Sequence, residues 1–377
     1  MARTRKGVVV ILVVSTLSMA TLVSACGDAS RVDHREPPII DSKPLDSTRG
    51  PHGETATPTS ALELAPADIA RMRAAHYTVA LVWHENSDFI RAVTAGARAM
   101  FDRLGVEIVS ESEADFDAAK QKANVETALA RRPSAMVALP VDQEILAPAF
   151  KAVARHGTKL VLLSVVPEGL KQGEDYVNLV TDDLFEMGRR AADALAAVVG
   201  AHGKIAYFYR DDESYVTYQR DQAFLKTITE TYPGIDIVQK VGIVDPDRAQ
   251  EQAAAVIARH PDLDGIYVTF AQPPGEGVLA ALRAAGNTRT NLVTLDISEP
   301  MALDLANGGN TFALVADRAF EIGDALAKSV AYGLLDKEAP PFVVVPAMTI
   351  TRSNLAAGYH ASLHREPPAS VTEALGR

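Results

Sequence analysis

From Tyr77 onward the chain alternates between short apolar runs and longer segments in which apolar residues return every three or four positions. TVALVW, residues 78–83, has the length of a strand, and Phe89, Val93, Ala97, Met100 and Leu104 then mark one face of a helix over 88–104. Strands are predicted at 106–110, 135–140, 159–164 and 176–181, with helices at 117–130 and 145–156. The alternation restarts with strands at 204–209, 235–241, 265–270, 292–295 and 312–316. Helices fit between them at 183–199, 217–231, 247–259, 277–285 and 300–307. A helix over 318–334 and a strand over 342–350 end the series.

Apolar strands separated by amphipathic helices predict an α/β architecture, with parallel sheets covered on both faces. The strands are too many for one compact doubly wound domain, so two lobes are expected. In such sheets a ligand lies beyond the carboxyl ends of the strands. Polar residues stand there: His84, Glu85, Asn86 and Ser87, then Asp142, Ser164, Thr181, Asp182, Gln272, Asp296 and Asp317. Trp83, the only tryptophan, ends the first run and is expected in the core, whereas His84 fits either core or cleft. Asp296 fits either a site or the cap of the helix that follows it.

Composition removes some classes of function. The 377 residues are 47% hydrophobic and 23% charged, ordinary for a globular chain of two domains. The net charge is -11 and there is no clustered basic stripe, which argues against nucleic acid, whose binding rests on neutralised phosphates. Arg3, Arg5 and Lys6 precede an apolar stretch from Gly7 to about Leu22, so residues 1–25 read as an export signal. Cys26 is the only cysteine and has no partner for an internal disulfide. Residues 23–26, VSAC, resemble a bacterial lipobox, which implies cleavage before Cys26 and lipid on its sulfur. The stretch from Gly27 to Asp68 lacks Phe, Trp and Tyr and carries Pro37, Pro38, Pro44, Pro51, Pro58 and Pro66. Residues 26–70 are therefore expected to be a flexible tether.

Catalytic motifs are weak. GEGVLA, residues 275–280, has the spacing of a dinucleotide fingerprint, with Asp296 near the ribose-binding position. Pro273 and Pro274, however, occupy the place of the required tight turn. The sequence has no paired cysteines, no calcium loop and no G-x-S-x-G turn. RDDESY, residues 210–215, is an acidic loop after a strand, and spacing alone makes no glycosidase of it. No metal, cofactor or enzymatic activity is expected.

Four stretches carry a family resemblance: TVALVWHENSDFIRAVTAGARAMFDRLG (78–105), AMVALPVD (135–142), GIYVTFAQPPGEGVLAALR (265–283) and NLVTLD, ending at Asp296. In this order they resemble periplasmic sugar-binding proteins of the ribose-binding type, the substrate-binding components of ABC importers, over about Tyr77 to Thr351. The resemblance implies the type I periplasmic binding fold, two doubly wound lobes joined by three crossings that close on a ligand. It puts the crossings near Thr181 and Asp182, Ala316 and Asp317, and Pro346. One lobe is then 77–181 plus 318–346, the other 182–316 plus 347–360, with a tail over 361–377.

Residue by residue, Phe89 matches an aromatic that stacks on a sugar ring, and Asp296 an aspartate that accepts from hydroxyls. Gln272 falls near a ligand-binding asparagine, and Asp317 stands where many members have glutamine. Ser164 and Val165 replace an Asp-Arg pair. Tyr218 takes the place of a sugar-binding arginine, with Arg220 two residues on. These departures argue against ribose itself. Glu85, Asn86, Ser87 and Asp142 complete the expected cleft. Its acidity suits a neutral sugar or polyol, with a cationic ligand as the rival. The implied partners are that ligand, an ABC permease and the membrane through Cys26. The expectation is a monomer, lipid-anchored outside the cytoplasm, with a sensor subunit or an exported hydrolase as alternatives.

Overall fold

The computed structural model describes residues 47–211 and 214–376. The export signal, Cys26, the tether as far as residue 46, and Asp212 and Glu213 lie outside the described residues. Numbered in chain order, seven strands form a first sheet: β1 (Thr57–Pro58), β2 (Thr78–Trp83), β3 (Glu107–Glu113), β4 (Ala135–Ala138), β5 (Lys159–Leu163), β6 (Leu179–Asp182) and β12 (Phe342–Val345). Their spatial order is β1-β12-β6-β5-β4-β2-β3, parallel throughout. The second sheet holds β7 (Lys204–Arg210), β8 (Asp236–Ile243), β9 (Gly265–Val268), β10 (Asn291–Leu295), β11 (Thr311–Ala316) and β13 (Met348–Ile350). Its order is β13-β11-β10-β9-β7-β8, and only β13 runs antiparallel to its neighbour.

Both faces of each sheet are buried, as the apolar runs require. In β2, Val79, Leu81 and Trp83 belong to one core layer and Ala80 and Val82 to the other. In β7, Ala206 and Phe208 face one layer and Ile205 and Tyr207 the opposite one. The helices α2 (Asp88–Leu104), α3 (Ala118–Ala130), α4 (Ala147–Arg155) and α10 (Ala319–Leu334) cover the first sheet. The second is covered by α5 (Leu184–Val199), α6 (Tyr215–Thr231), α7 (Ala249–Arg259), α8 (Glu276–Ala284) and α9 (Glu299–Ala306). Each sheet with its helices is a lobe. Closest packing is between α2 and α10, where a Cβ on Gly323 would lie 1.9 Å from the Val93 carbonyl oxygen.

The chain passes between sheets after β6, after β11 and after β12. These passages run side by side, since Val345 pairs with Asp182 and Met348 with Ala316. The 342–350 run is thus two strands in two sheets, separated by Pro346 and Ala347, rather than one.

One expectation needs correction. Residues 48–70, assigned to the flexible tether, are folded. β1 lies along the open edge of β12, and α1 (Pro66–Ala75) follows it. Aliphatic residues anchor this arm where aromatics are lacking: Leu62 and Met72 are fully buried. Pro58 is tolerated because β1 is an edge strand. The tail over 361–377 holds the end of one helix and the whole of another. α11 (Leu355–Leu363) and α12 (Ala369–Leu375) pack on the body, with Val371 and Ala374 buried.

Candidate functional site

Strand ends and one helix bring the polar residues together. Arg220 rides on α6, which is seated tightly: a Cβ on Gly188 of α5 would stand 2.0 Å from the Arg220 carbonyl oxygen. The guanidinium donates through Nη2 to Asp182 Oδ2 at 2.7 Å, and through Nη1 to Asp296 Oδ2 and Oδ1 at 3.4 and 3.5 Å. Thr181 Oγ1 donates to Asp182 Oδ1 at 3.1 Å and lies 2.9 Å from Ser164 Oγ. A continuous polar path therefore runs from the end of β5, in one lobe, through the first crossing to the end of β10 in the other. Asp317, following β11, is buried and accepts from Ser362 Oγ at 3.4 Å. Ser164 and Asp296 both hold left-handed backbone, with φ of 56° and 67°, which turns the chain sharply at a strand end.

Only part of this cluster is open. The Asp296 side chain is 35% exposed, against 9% for Arg220 and 3% for Asp182, so Asp296 is the carboxylate an incoming molecule meets. Arg220 Nε and Ser298 Oγ are buried without a hydrogen-bond partner among the described residues and supply further polar capacity beside it.

Carboxyls outnumber the guanidinium. Burial works against the charge of Arg220, but Asp182 and Asp296 outweigh it and hold the guanidinium firmly protonated. Asp296 is raised by its enclosed setting and by Asp182, against the pull of Arg220. Asp317 is raised well above the ordinary range by burial, then by Asp296 and Asp182. Burial also raises Glu85, and repulsion from Asp296 adds to this, so the field of Asp296 reaches across to the end of β2. Beside Glu85, burial pushes His84 down to about 4, leaving a neutral ring set edge-on to Phe116 with centroids 5.1 Å apart.

The other expected residues are placed as follows. Ser87 caps α2, accepting from Ile90 N–H at 3.3 Å, and Asn86 Oδ1 accepts from Arg91 at 3.0 Å. Phe89 is half-buried against the core, and Trp83 lies within it. Asp142 accepts from the N–H groups of Glu144 and Ile145 at 2.9 and 2.6 Å, the role of a turn residue. Tyr218 is half-buried on α6, and Gln272 is exposed on the turn after β9. The joined set is Ser164, Thr181, Asp182, Arg220 and Asp296, with Glu85 and Asp317 coupled to it by charge. Asn86, Asp142 and Gln272 stand outside that network. Sequence reasoning gave Asp182 a hinge role and overlooked its ion pair. The signal was present, a carboxylate closing an apolar run. Nothing local announces Ser362, which comes from α11.

Comparison with known proteins follows the same lines. Residues 79–338 match the family model described as a periplasmic binding protein domain. No curated protein matches the chain. Among solved structures, an ABC transporter solute-binding protein from Agrobacterium vitis, bound with alpha-D-tagatopyranose, is 24% identical with a TM-score of 0.65, covering 74% of this chain and 96% of that one. A periplasmic ribose ABC transporter protein from Conexibacter woesei is 22% identical, TM-score 0.66, covering 75% and 94%. An arabinose-binding protein from Geobacillus stearothermophilus is 20% identical, TM-score 0.68, covering 75% and 99%. At these identities the likeness is one of fold.

Proposed function

The chain belongs to the periplasmic binding proteins, and on that premise we propose that it captures one small polyhydroxylated compound, a sugar or polyol, between its lobes and hands it to the permease of an ABC importer. Membership makes it a binding protein rather than an enzyme. The observation that carries the ligand class is the reachable Asp296 carboxylate braced by a buried Arg220. A hydroxyl can donate to the one and accept from the other, in charge-assisted bonds. Phe89 adds an apolar plate for a ring face. The similar proteins from Agrobacterium vitis and Geobacillus stearothermophilus are described with tagatose and arabinose, which supports the same class here.

In this reading the lobes are residues 77–181 with 318–346, and 182–316 with 347–360. They turn about Thr181, Asp182, Ala316 and Pro346. Cys26 carries the lipid. A thermal-shift panel of sugars, polyols, amino acids and polyamines tests the ligand class, because a compound that binds only the folded chain raises its midpoint. Sugars or polyols are expected to raise it. A panel in which only amino acids or polyamines do so contradicts the reading.

A further inference from the structure

The chain before β2 and the chain after β13 each touch both lobes, and both lie outside the residues 79–338 that match the family. At the first of these, Thr48 is buried at the start of α5: its hydroxyl bonds the Asp183 carboxylate and accepts from Phe185 N–H at 2.8 Å. Arg49 is gripped by α6. Its N–H donates to Gln219 Oε1 at 3.0 Å, and its carbonyl accepts from Gln219 Nε2 at 3.0 Å and from the Tyr215 hydroxyl. The chain then makes a tight turn, with Gly53 N–H on the Gly50 carbonyl and Gly50 N–H on that of Glu54. By Thr57 it is a strand of the other lobe. Glu54 sits between the two: after burial, its charge is the next cause raising Tyr176, which precedes β6, and it adds to the rise of Tyr215 on α6.

The second segment repeats the arrangement. Arg365, just past α11, bonds the Asp88 carboxylate at the start of α2 and Tyr359 Oη at 3.1 Å. The neighbouring His364 ring stacks on Phe320 of α10 with centroids 3.8 Å apart. These contacts hold the first lobe. α12 then lies on α9 of the second, where Ser370 Oγ donates to Glu299 Oε1 at 2.9 Å.

We propose that the arm over 48–58 and the tail over 364–375 are interlobe straps that limit how far the lobes part when no ligand is bound. Hinge opening separates the two sheets' strand ends, so a segment fixed to both lobes must release one of them first. The arm is fixed to the first lobe by strand pairing and by buried Leu62 and Met72, and to the second by five hydrogen bonds around Thr48 and Arg49. The second attachment is the weaker and releases first. A few bonds of ordinary strength shift an open-to-closed ratio by tenfold or more.

The test needs no ligand. The full chain carrying Cys26→Ser has no native cysteine, so Ile145→Cys and Val244→Cys can take spin labels. Both positions are exposed, one in each lobe. Pulsed dipolar spectroscopy should give a narrow distance distribution with the straps intact. Thr48→Ala or Arg365→Ala should shift part of it to longer distances, and the two together should shift more. An unchanged distribution in the double variant, folded by circular dichroism, overturns the proposal. If Thr48→Ala does not fold, Arg365→Ala alone decides, since its side chain is 46% exposed and lies outside the core. The proposal rests on the two-lobe binding reading. Failure of that reading would show separately, as a thermal-shift panel without a hit.

Discussion

Arg220 carries the heaviest electrostatic load. Replacing it with alanine leaves Asp182 buried and unpaired, which typically costs roughly 3–5 kcal/mol; the denaturation midpoint of Arg220→Ala should fall accordingly, and the ligand-induced shift should vanish. Its neighbour Asp221 gives a pH signature. That carboxylate is buried and accepts from Arg210 N–H at 2.8 Å, Tyr267 Oη at 2.7 Å and Thr269 Oγ1 at 2.9 Å. Burial outweighs these donors and pushes it up to about 7. The folded chain therefore holds a proton that the unfolded chain loses near the ordinary carboxylate value. Its contribution to stability is full in acid and is lost as pH rises to about 7, a change on the order of 4 kcal/mol. Melting at a series of pH values should show the advantage of wild type over Asp221→Asn shrinking across that window; a constant difference would contradict the shift. At this scale the sequence exposed Asp296, because an apolar run ending in a carboxylate is conspicuous. Arg220 lies inside a helix and answers to no strand-end rule, so only family resemblance pointed to it. Its pairing with Asp182 depends on how α6 docks, and no local pattern encodes that.

The elements themselves were legible wherever burial repeats. The runs that became β2, β4, β5, β7, β9, β10 and β11 are apolar on both faces, and helices such as α2 and α5 carry clean stripes. The arm escaped notice because β1 is two residues long and is defined by the edge of β12, a strand almost three hundred residues away in the chain. α11 and α12 are short and take their stability from the surfaces they meet. Helix contacts also make a prediction that separates stability from binding. Gly323→Ala drives a Cβ into the backbone of α2, and Gly188→Ala drives one into the backbone of α6 at Arg220. Each should cost about 1–3 kcal/mol by overpacking. Only Gly188→Ala also displaces Arg220, so it alone should weaken ligand binding in a titration normalised for folded protein. Equal binding loss in both variants would mean that Arg220 is not placed by the α5–α6 contact.

At the scale of the whole molecule, the proposed receptor has two lobes, a lipid on Cys26 and straps across its cleft. The lipid anchor predicts that wild type fractionates with membranes and that Cys26→Ser appears in the soluble fraction. A mature N-terminus without lipid, seen by mass spectrometry, would remove that part of the account. The strapping predicts modest opening, and with it slow exchange of whatever is bound. Both depend on the cleft being a binding site at all, and Asp296 is the residue through which that is decided. The most direct measurement is a calorimetric titration, of wild type and of Asp296→Ala, with the sugar or polyol that raises the melting midpoint most. Wild type should bind one molecule per chain. Removing the reachable carboxylate should cost roughly 2–5 kcal/mol, a loss of about thirtyfold or more in affinity. Equal affinity in the two proteins would contradict the account.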